Sequence, residues 1–506
     1  MNSTPVINHA STLRLRRMGI NTHQEPVVYM REDCHICRAE GFTAHSRVLI
    51  TTSSKSIIAT LNMVSGDFLI LEEAGLSEAA WRLLAPQEGE TAHFSHAPAL
   101  DSLSHLRSKV YGKSLEEGAY QEIMRDITAG FYSDVELSSF VTACAGSRMT
   151  HDEIFYLTRA MVQAGDQLKW DNGPIVDKHS VGGLPGNRTT LLIVPIVTCL
   201  GLTMPKTSSR AITSPAGTAD TMEVLAPVDL SLPQMRKVVE QEGGCILWGG
   251  AVHLSPADDT LIRIERALDL DSEGQLVASV LSKKAAAGST HLVLDVPVGP
   301  TAKVRSAEEA VKLIKVLEMI GSRLGMKLQA VMTDGSQPVG RGIGPALEAM
   351  DVLSILRGDP QAPQDLRRRA LVLAGALLEL SGKVDVGRGF ETAESILNDG
   401  RALKKFRAIC EAQGGMREPP RADFSYVLEA KSPGQVAQID NRKLARVAKF
   451  AGAPAAPAAG VEIHVRLGDR VEKGQPLLSI FAETRGELAY SFDYLSAHLN
   501  LIDVKV

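Results

Sequence analysis

The chain has 506 residues, 22% of them charged and 44% hydrophobic, with a formal net charge of −5. That length suits about three or four domains, and the composition is that of an ordinary soluble globular protein. The acidic balance argues against a coat for nucleic acid or a membrane surface, and six cysteines are too few for a disulfide scaffold, so a reducing, cytoplasmic setting is expected. No apolar leader with a cleavage site opens the sequence. The longest apolar stretch, Leu191 to Met204, is too short to span a bilayer and contains Pro195.

In chain order, residues 1–85 read as a small β-rich module. Leu13–Arg16, Pro26–Met30, Val48–Thr51 and Ser56–Leu61 have the composition of short strands. Cys34-His35-Ile36-Cys37 lies among them. A zinc site wants a second ligand pair and a thioredoxin-like site wants a βαβ context; neither follows, so the pair is expected to be structural. Residues 96–168 carry helical periodicity, with Ser114 and Thr150 as expected N-caps. From 170 to 435 strand-like runs (Ile246–Trp248, Leu292–Val296, Lys327–Met332) alternate with helical ones (Ala307–Leu324, Leu366–Leu380), which predicts an α/β sheet with helices on its faces. Residues 451–459, rich in Ala and Pro, read as a loop or linker before the end of an α+β module at 436–506.

Two stretches of the α/β region carry chemistry. Asp177-Lys178-His179-Ser180-Val181-Gly182-Gly183-Leu184-Pro185-Gly186-Asn187-Arg188-Thr189-Thr190 sets a cation, an imidazole and a hydroxyl in a row before three glycines. Glycines let backbone approach an anion closely, and lysine with backbone N–H groups makes a phosphate site. The order is not that of the Walker loop. The helix that follows is expected to start at Asn187, and Pro195 inside it calls for a kink or a later start. The second stretch, Thr207 to Glu223, is again rich in hydroxyls and glycine, with Arg210 as its fixed cation.

Together these stretches resemble the thymidine phosphorylase family of nucleoside phosphorylases: Lys178-His179-Ser180 with Gly182-Gly183 looks like its phosphate loop, and Ser208 to Glu223 like its signature segment. Ala278–Lys284, Leu294–Gly299, Thr333–Pro338 and the helical stretch Tyr111–Phe131 agree, so that the likeness covers roughly residues 96–500. It implies a helical domain at 96–168, completed by a later piece at about 256–290, beside a mixed-sheet α/β domain of phosphoribosyltransferase-like type. The N-terminal module, absent from short-form members, resembles that of longer relatives such as archaeal AMP phosphorylases, where it serves assembly; a homodimer or larger homo-oligomer is thereby implied. Val465–Leu477 resembles the hairpin of biotinyl and lipoyl carriers, but Phe481-Ala482-Glu483-Thr484-Arg485 stands where their modified lysine would be, so a structural module is expected.

The resemblance implies phosphorolysis, in which inorganic phosphate attacks the anomeric carbon and the base leaves. Lys178, Ser180, Ser208 and Thr218 match the phosphate ligands. His179 matches a base-contacting histidine able to donate to the departing base, and Ser279 and Lys283 match groups that hold the base edge. The base-binding arginine falls at Arg263 or Arg266. Phosphate is a co-substrate, and neither cofactor nor metal is implied. Some departures resemble the AMP phosphorylase branch: the loop at Leu184–Asn187 is one residue longer than in short-form members, and Ala211-Ile212-Thr213-Ser214-Pro215 replaces their Gly-Leu-Gly-His-Thr. Arg188 stands where some relatives put a potassium-binding threonine. In that branch Gly183, Ser209, Arg210, Ala211, Ile212, Thr213, Ser214, Thr218, Ser279 and Lys303 match nucleotide-binding positions, and Asp271 matches the proton donor. Three readings follow. The first is phosphorolysis of thymidine or another pyrimidine nucleoside. The second is phosphorolysis of a nucleoside 5′-monophosphate, with Lys303 and Arg305 serving the second phosphate. The third is a non-catalytic ligand-binding protein, which an intact phosphate loop disfavours. A phosphoribosyltransferase of the anthranilate type would need an acidic pair for magnesium diphosphate, which is not found at the expected place.

Overall fold

The computed structural model describes residues 11–505 apart from Asn172, Ile212, Thr213, His253 and Asp271. Packing divides the chain into two compact units, Met1–Arg148 with Thr260–Leu270, and Met149–Asp259 with Asp271–Val506.

In the first unit, β1 (Thr12–Arg17), β2 (Val27–Arg31), β3 (Arg47–Thr51), β4 (Ser56–Val64), β5 (Glu73–Leu76) and β6 (Thr91–His96) close a barrel in the order β1-β5-β2-β4-β3-β6. Alternation along the strands turns Leu13, Leu15, Val28, Met30, Val48, Ile50 and Phe94 into its core. Closure needs β6, so the module runs past the boundary expected at residue 85. Helices α1 (His35–Glu40) and α2 (Glu78–Leu84) cover it. The Cys34 Sγ caps α1 by accepting from the Cys37 N–H at 3.2 Å, and both cysteines are buried in the barrel core. Three helices follow, α3 (Ser102–Val110), α4 (Glu117–Thr128) and α5 (Asp134–Cys144). The start of α4 is capped at Glu116 rather than at Ser114, whereas α5 begins with a capping box of Ser133 and Glu136.

The second unit opens with α6 (His151–Gln163), whose capping box is Thr150 and Glu153, as expected. The α/β core then runs β7 (Val176–Ser180), α7 (Thr190–Thr198), β8 (Met204–Ser208), α8 (Thr218–Glu223), α9 (Leu232–Glu242), β9 (Gly244–Trp248), α10 (Pro256–Leu268), α11 (Glu273–Ala286), β10 (His291–Val298), α12 (Ala307–Arg323) and β11 (Lys327–Asp334). From Thr260 on, α10 counts with the first unit. The strands pair in parallel as β11-β10-β7 and β8-β9, and a bridge from Ile175 to Thr203 ties the two sheets. Both α6 and α11 pack with this core: Ile154, Val277 and Leu281 share a cluster with Leu292, Leu294 and Val296 of β10. The compact units therefore group α6 and α11 with the sheet rather than with the helices before them.

After β12 (Gly342–Ile343), the helices α13 (Pro345–Leu356), α14 (Gln364–Leu380), α15 (Gly389–Asn398) and α16 (Arg401–Ala412) pack around α7, a helix with all nine residues buried. The last module comprises β13 (Phe424–Glu429), β14 (Gly434–Ile439), α17 (Asn441–Phe450), β15 (Gly460–Ile463), β16 (Arg470–Val471), β17 (Pro476–Ala482), α18 (Arg485–Ala497) and β18 (Ile502–Lys505). It starts before residue 436, because β13 pairs with β17, and it takes β12 into its sheet. Residues 451–459 form a packed turn rather than a linker, with Pro457 accepting from the Ala346 N–H at 3.0 Å. No helix among the described residues is long and apolar enough to cross a membrane.

Candidate active site

The site begins with the alternation of β7. Successive side chains of a strand point to opposite faces. Lys178 and Ser180 share a face with Val293 and Asp295 of β10, the face covered by α7 and α14, whereas Asp177 and His179 face α11 and α12 with Leu292 and Leu294. One strand thus supplies cation and hydroxyl on one side and the imidazole on the other.

On the first side Lys178 is 2% exposed. Its Nζ donates to Thr189 Oγ1 at 2.8 Å and stands 3.9 Å from Asp295 Oδ2. Burial pushes the ammonium down to about 8, against the pull of Asp295. Asp295 in turn accepts from Thr333 Oγ1 at 2.6 Å and Asn187 Nδ2 at 2.7 Å. Burial pushes its carboxyl up, but Lys178, Arg369 and these donors outweigh that and hold it below the usual carboxylate range. Asn187 also donates to Ser180 Oγ at 3.3 Å. It is therefore a brace beneath the loop and not the cap expected; α7 starts later, at Thr190, and still carries Pro195 inside it. Gly183 has φ +79, and a Cβ there would meet the Lys303 backbone nitrogen at 2.4 Å. Gly186 has φ +73, and its Cβ would fall 2.0 Å from the Val339 carbonyl oxygen. Only glycine fits either position.

The second cradle folds against the first. The Asp220 Oδ2 accepts from the backbone N–H groups of Ala211 at 2.6 Å and Gly217 at 2.8 Å, pinching the segment into a turn. Arg210 is held by Glu223 and stacks over the Trp248 ring at 5.0 Å. Ser209 is exposed and Ser214 donates to the Ala216 carbonyl at 2.9 Å. Among the described residues the buried Ser208 Oγ has no hydrogen-bond partner, while Thr218 Oγ1 accepts from Arg188 Nη1 at 3.4 Å. A buried hydroxyl without a partner costs free energy that a phosphate oxygen would recover. Ile212 and Thr213 lie outside the described residues.

On the other face, Asp177 is clasped by Lys206 at 3.1 Å and Lys284 at 2.8 Å, all three 4% exposed or less. Burial, then Lys284, Lys206, Lys178 and Lys283, push His179 well below the usual imidazole range. The ring is neutral at physiological pH, so it can offer a hydrogen bond but no ready proton. Ser279 and Lys283, four apart on α11, share a face. The Ser279 hydroxyl donates to Asp258 Oδ2 at 3.1 Å, and the same oxygen takes Lys283 Nζ at 2.5 Å. Sequence reasoning missed Asp258; its only signal is the Asp258-Asp259 pair at a helix start. Of the two arginine candidates, Arg263 makes a two-pronged pair with Asp134 at 2.6 and 2.7 Å within the first unit, and Arg266 is exposed. Asp271 lies outside the described residues.

Three family models match the chain: a helical bundle domain of a glycosyl transferase family over residues 103–165, the a/b domain of that family over 172–403, and a pyrimidine nucleoside phosphorylase C-terminal domain over 435–500. A protein of Hahella chejuensis named "Putative thymidine phosphorylase" is 61% identical, covering 97% of this chain and 98% of its own. Like-named proteins of Polaromonas and Legionella pneumophila are 59% and 56% identical, each again over 97% of this chain, and over 96% and 95% of their own. The chain belongs to the thymidine phosphorylase family. Its fold is also that of anthranilate phosphoribosyltransferase from Thermus thermophilus, with a TM-score of 0.51 at 22% identity over 61% of this chain and 98% of that one. Within the thymidine phosphorylase family the two cradles fall inside the matched a/b domain, and Ser279 and Lys283 do so as well.

Proposed function

We propose that this protein phosphorolyses a pyrimidine nucleoside such as thymidine, releasing the base and (deoxy)ribose 1-phosphate. Family membership makes it a phosphorylase; the pyrimidine base is supported by the matched C-terminal domain and by the names its relatives carry. The observation that carries the phosphate side is the buried Ser208 hydroxyl, which has no partner among the described residues. Phosphate approaches with its charge fixed by Lys178, Ser180, Ser208 and Thr218, while the Ser279–Lys283 edge, braced by Asp258, holds the base. As the glycosidic bond breaks, negative charge grows on the base, and the lysine-rich face around His179 stabilises it. Phosphate is the co-substrate, and we assign no cofactor or metal; a cytoplasmic homo-oligomer fits the resemblance.

A second reading, a nucleoside 5′-monophosphate as substrate, is favoured by one contact: the loop turn at Gly183 lies directly against the backbone of Lys303, which brings that lysine to the phosphate loop. The deciding experiment incubates the pure protein with inorganic phosphate and thymidine, uridine, CMP or AMP and identifies the released base. Robust thymidine or uridine cleavage upholds the first reading. Cleavage of monophosphates alone replaces it with the second.

A further inference from the structure

Arg188 follows the glycine loop, yet it points away from solvent. Its side chain is 11% exposed, and its guanidinium pairs with Glu348 of α13, whose side chain is fully buried. The same guanidinium donates through Nη2 to the Ala216 carbonyl at 2.6 Å and through Nη1 to Thr218 Oγ1 at 3.4 Å. Glu348 also accepts from Thr221 Oγ1 at 3.0 Å and from the Gly344 N–H at 3.2 Å. A single buried fork therefore links the first cradle, the second cradle and the start of α13, segments separated by 28 to 160 residues.

Guanidinium has donors only. A hydroxyl that faces it must accept, and its own hydrogen is turned elsewhere. Thr218 is one of the positions assigned to phosphate, and an outward-turned hydroxyl there is a donor aimed before the anion arrives. Arg188 holds the Ala216 carbonyl at the same time, so the two points of the second cradle that flank Gly217 are fixed to the first. A lysine would offer a point charge without the planar fork.

We propose that Arg188 is a positioning residue for inorganic phosphate: paired to Glu348, its guanidinium locks the two cradles in register and sets the direction in which the Thr218 hydroxyl donates. The proposal rests on the phosphorylase reading above. It touches neither the base nor the reacting atoms, so its signature is a phosphate effect without a nucleoside effect.

The test measures Michaelis constants for inorganic phosphate and for the best nucleoside of the panel, beside thermal melting. In Arg188→Lys the phosphate constant should rise about 10-fold or more, as when one charge-assisted donor is misdirected, and the nucleoside constant should stay within about threefold. Arg188→Met/Glu348→Gln removes both charges; the amide oxygen can still accept from the Gly344 N–H, and the amide NH2 can donate to the Thr221 hydroxyl, which keeps the Gly217 carbonyl as its own acceptor. Its melting temperature should recover towards wild type relative to Arg188→Met, and its phosphate constant should not. Combining Arg188→Met/Glu348→Gln with Thr218→Val should add little further to the phosphate constant, because the charge-free variant has already lost what Thr218 contributes. Recovery of phosphate affinity along with stability, or full additivity with Thr218→Val, overturns the proposal and leaves Arg188 a structural residue. A wild type that cleaves no nucleoside with phosphate sinks the functional reading instead, and isothermal titration of phosphate onto the same variants then tests the positioning role alone.

Discussion

Replacing Lys178 by methionine separates the two things that residue does. Its ammonium sits near 8 rather than 10.5, so carrying the charge costs the fold on the order of 3 kcal/mol at neutral pH. The value is depressed for a cation; the cost is therefore full below about pH 8 and vanishes as the pH rises past the unfolded value. Methionine removes that cost at similar volume. That cost is already net of the pull of Asp295, which keeps its bonds to Thr333 and Asn187 when the cation goes. The melting temperature should therefore hold or rise. Phosphate loses a charged donor worth roughly 1.5–3 kcal/mol, or about 10- to 150-fold in kcat/KM for phosphate. In the wild type the phosphate constant should climb as the pH passes about 8 and Lys178 deprotonates, a climb the variant should lack. The assay is initial rate against phosphate from pH 6 to 9.5, with melting curves alongside. A folded variant with wild-type phosphate dependence refutes the assignment.

Lys303→Ala should raise the KM for a nucleoside monophosphate roughly 10-fold or more and leave the nucleoside nearly unchanged if the nucleotide reading holds; equal, small effects on both substrates dispose of that reading. Gly183→Ala should destabilise by roughly 2–4 kcal/mol, since left-handed backbone and a backbone clash with Lys303 add, and calorimetry showing an unshifted transition would contradict the packing. Asp258→Asn should free Ser279 and Lys283 and raise the nucleoside KM about 10-fold while the phosphate KM holds within about threefold; the opposite pattern moves Asp258 to the phosphate side. The His179 ring should stay neutral as the pH falls through 6.5, which its proton NMR shifts report directly; a titration centred there would show the lysine cluster to be weaker than its geometry.

The local parts of this site were legible in the amino-acid order. Glycine spacing, the Lys178-His179-Ser180 triplet and the hydroxyl-rich turn announce themselves because each works through its own neighbours. Strand positions on β10 and β11 were likewise readable from apolar runs. The carboxylates were not. Asp295 lies 117 residues from Lys178, and Glu348 160 residues from Arg188. Nothing near an acidic side chain says which distant cation it will meet; only the folded sheet brings them together. Asn187 failed for a related reason. Its cap propensity is real, but Asp295 and Ser180 claim both hydrogens of its amide, and tertiary contact overrides local preference. Ser114 lost its helix start to Glu116, which makes no side-chain cap bond.

The two-sidedness of β7 bears on how its loop can vary. A strand carries a parity: shifting the register by one residue exchanges its faces. One residue gained or lost before Ser180 would send Lys178 towards α11 and His179 towards Asp295, and both halves of the reaction would lose their groups together. The loop at Leu184–Asn187 lies beyond the last strand residue, Ser180, so a residue added there lengthens the bend without touching parity. Length changes in such chains are therefore tolerated downstream of Ser180 and forbidden upstream, in odd numbers, back to the bridge at Ile175 that fixes the strand to its neighbour.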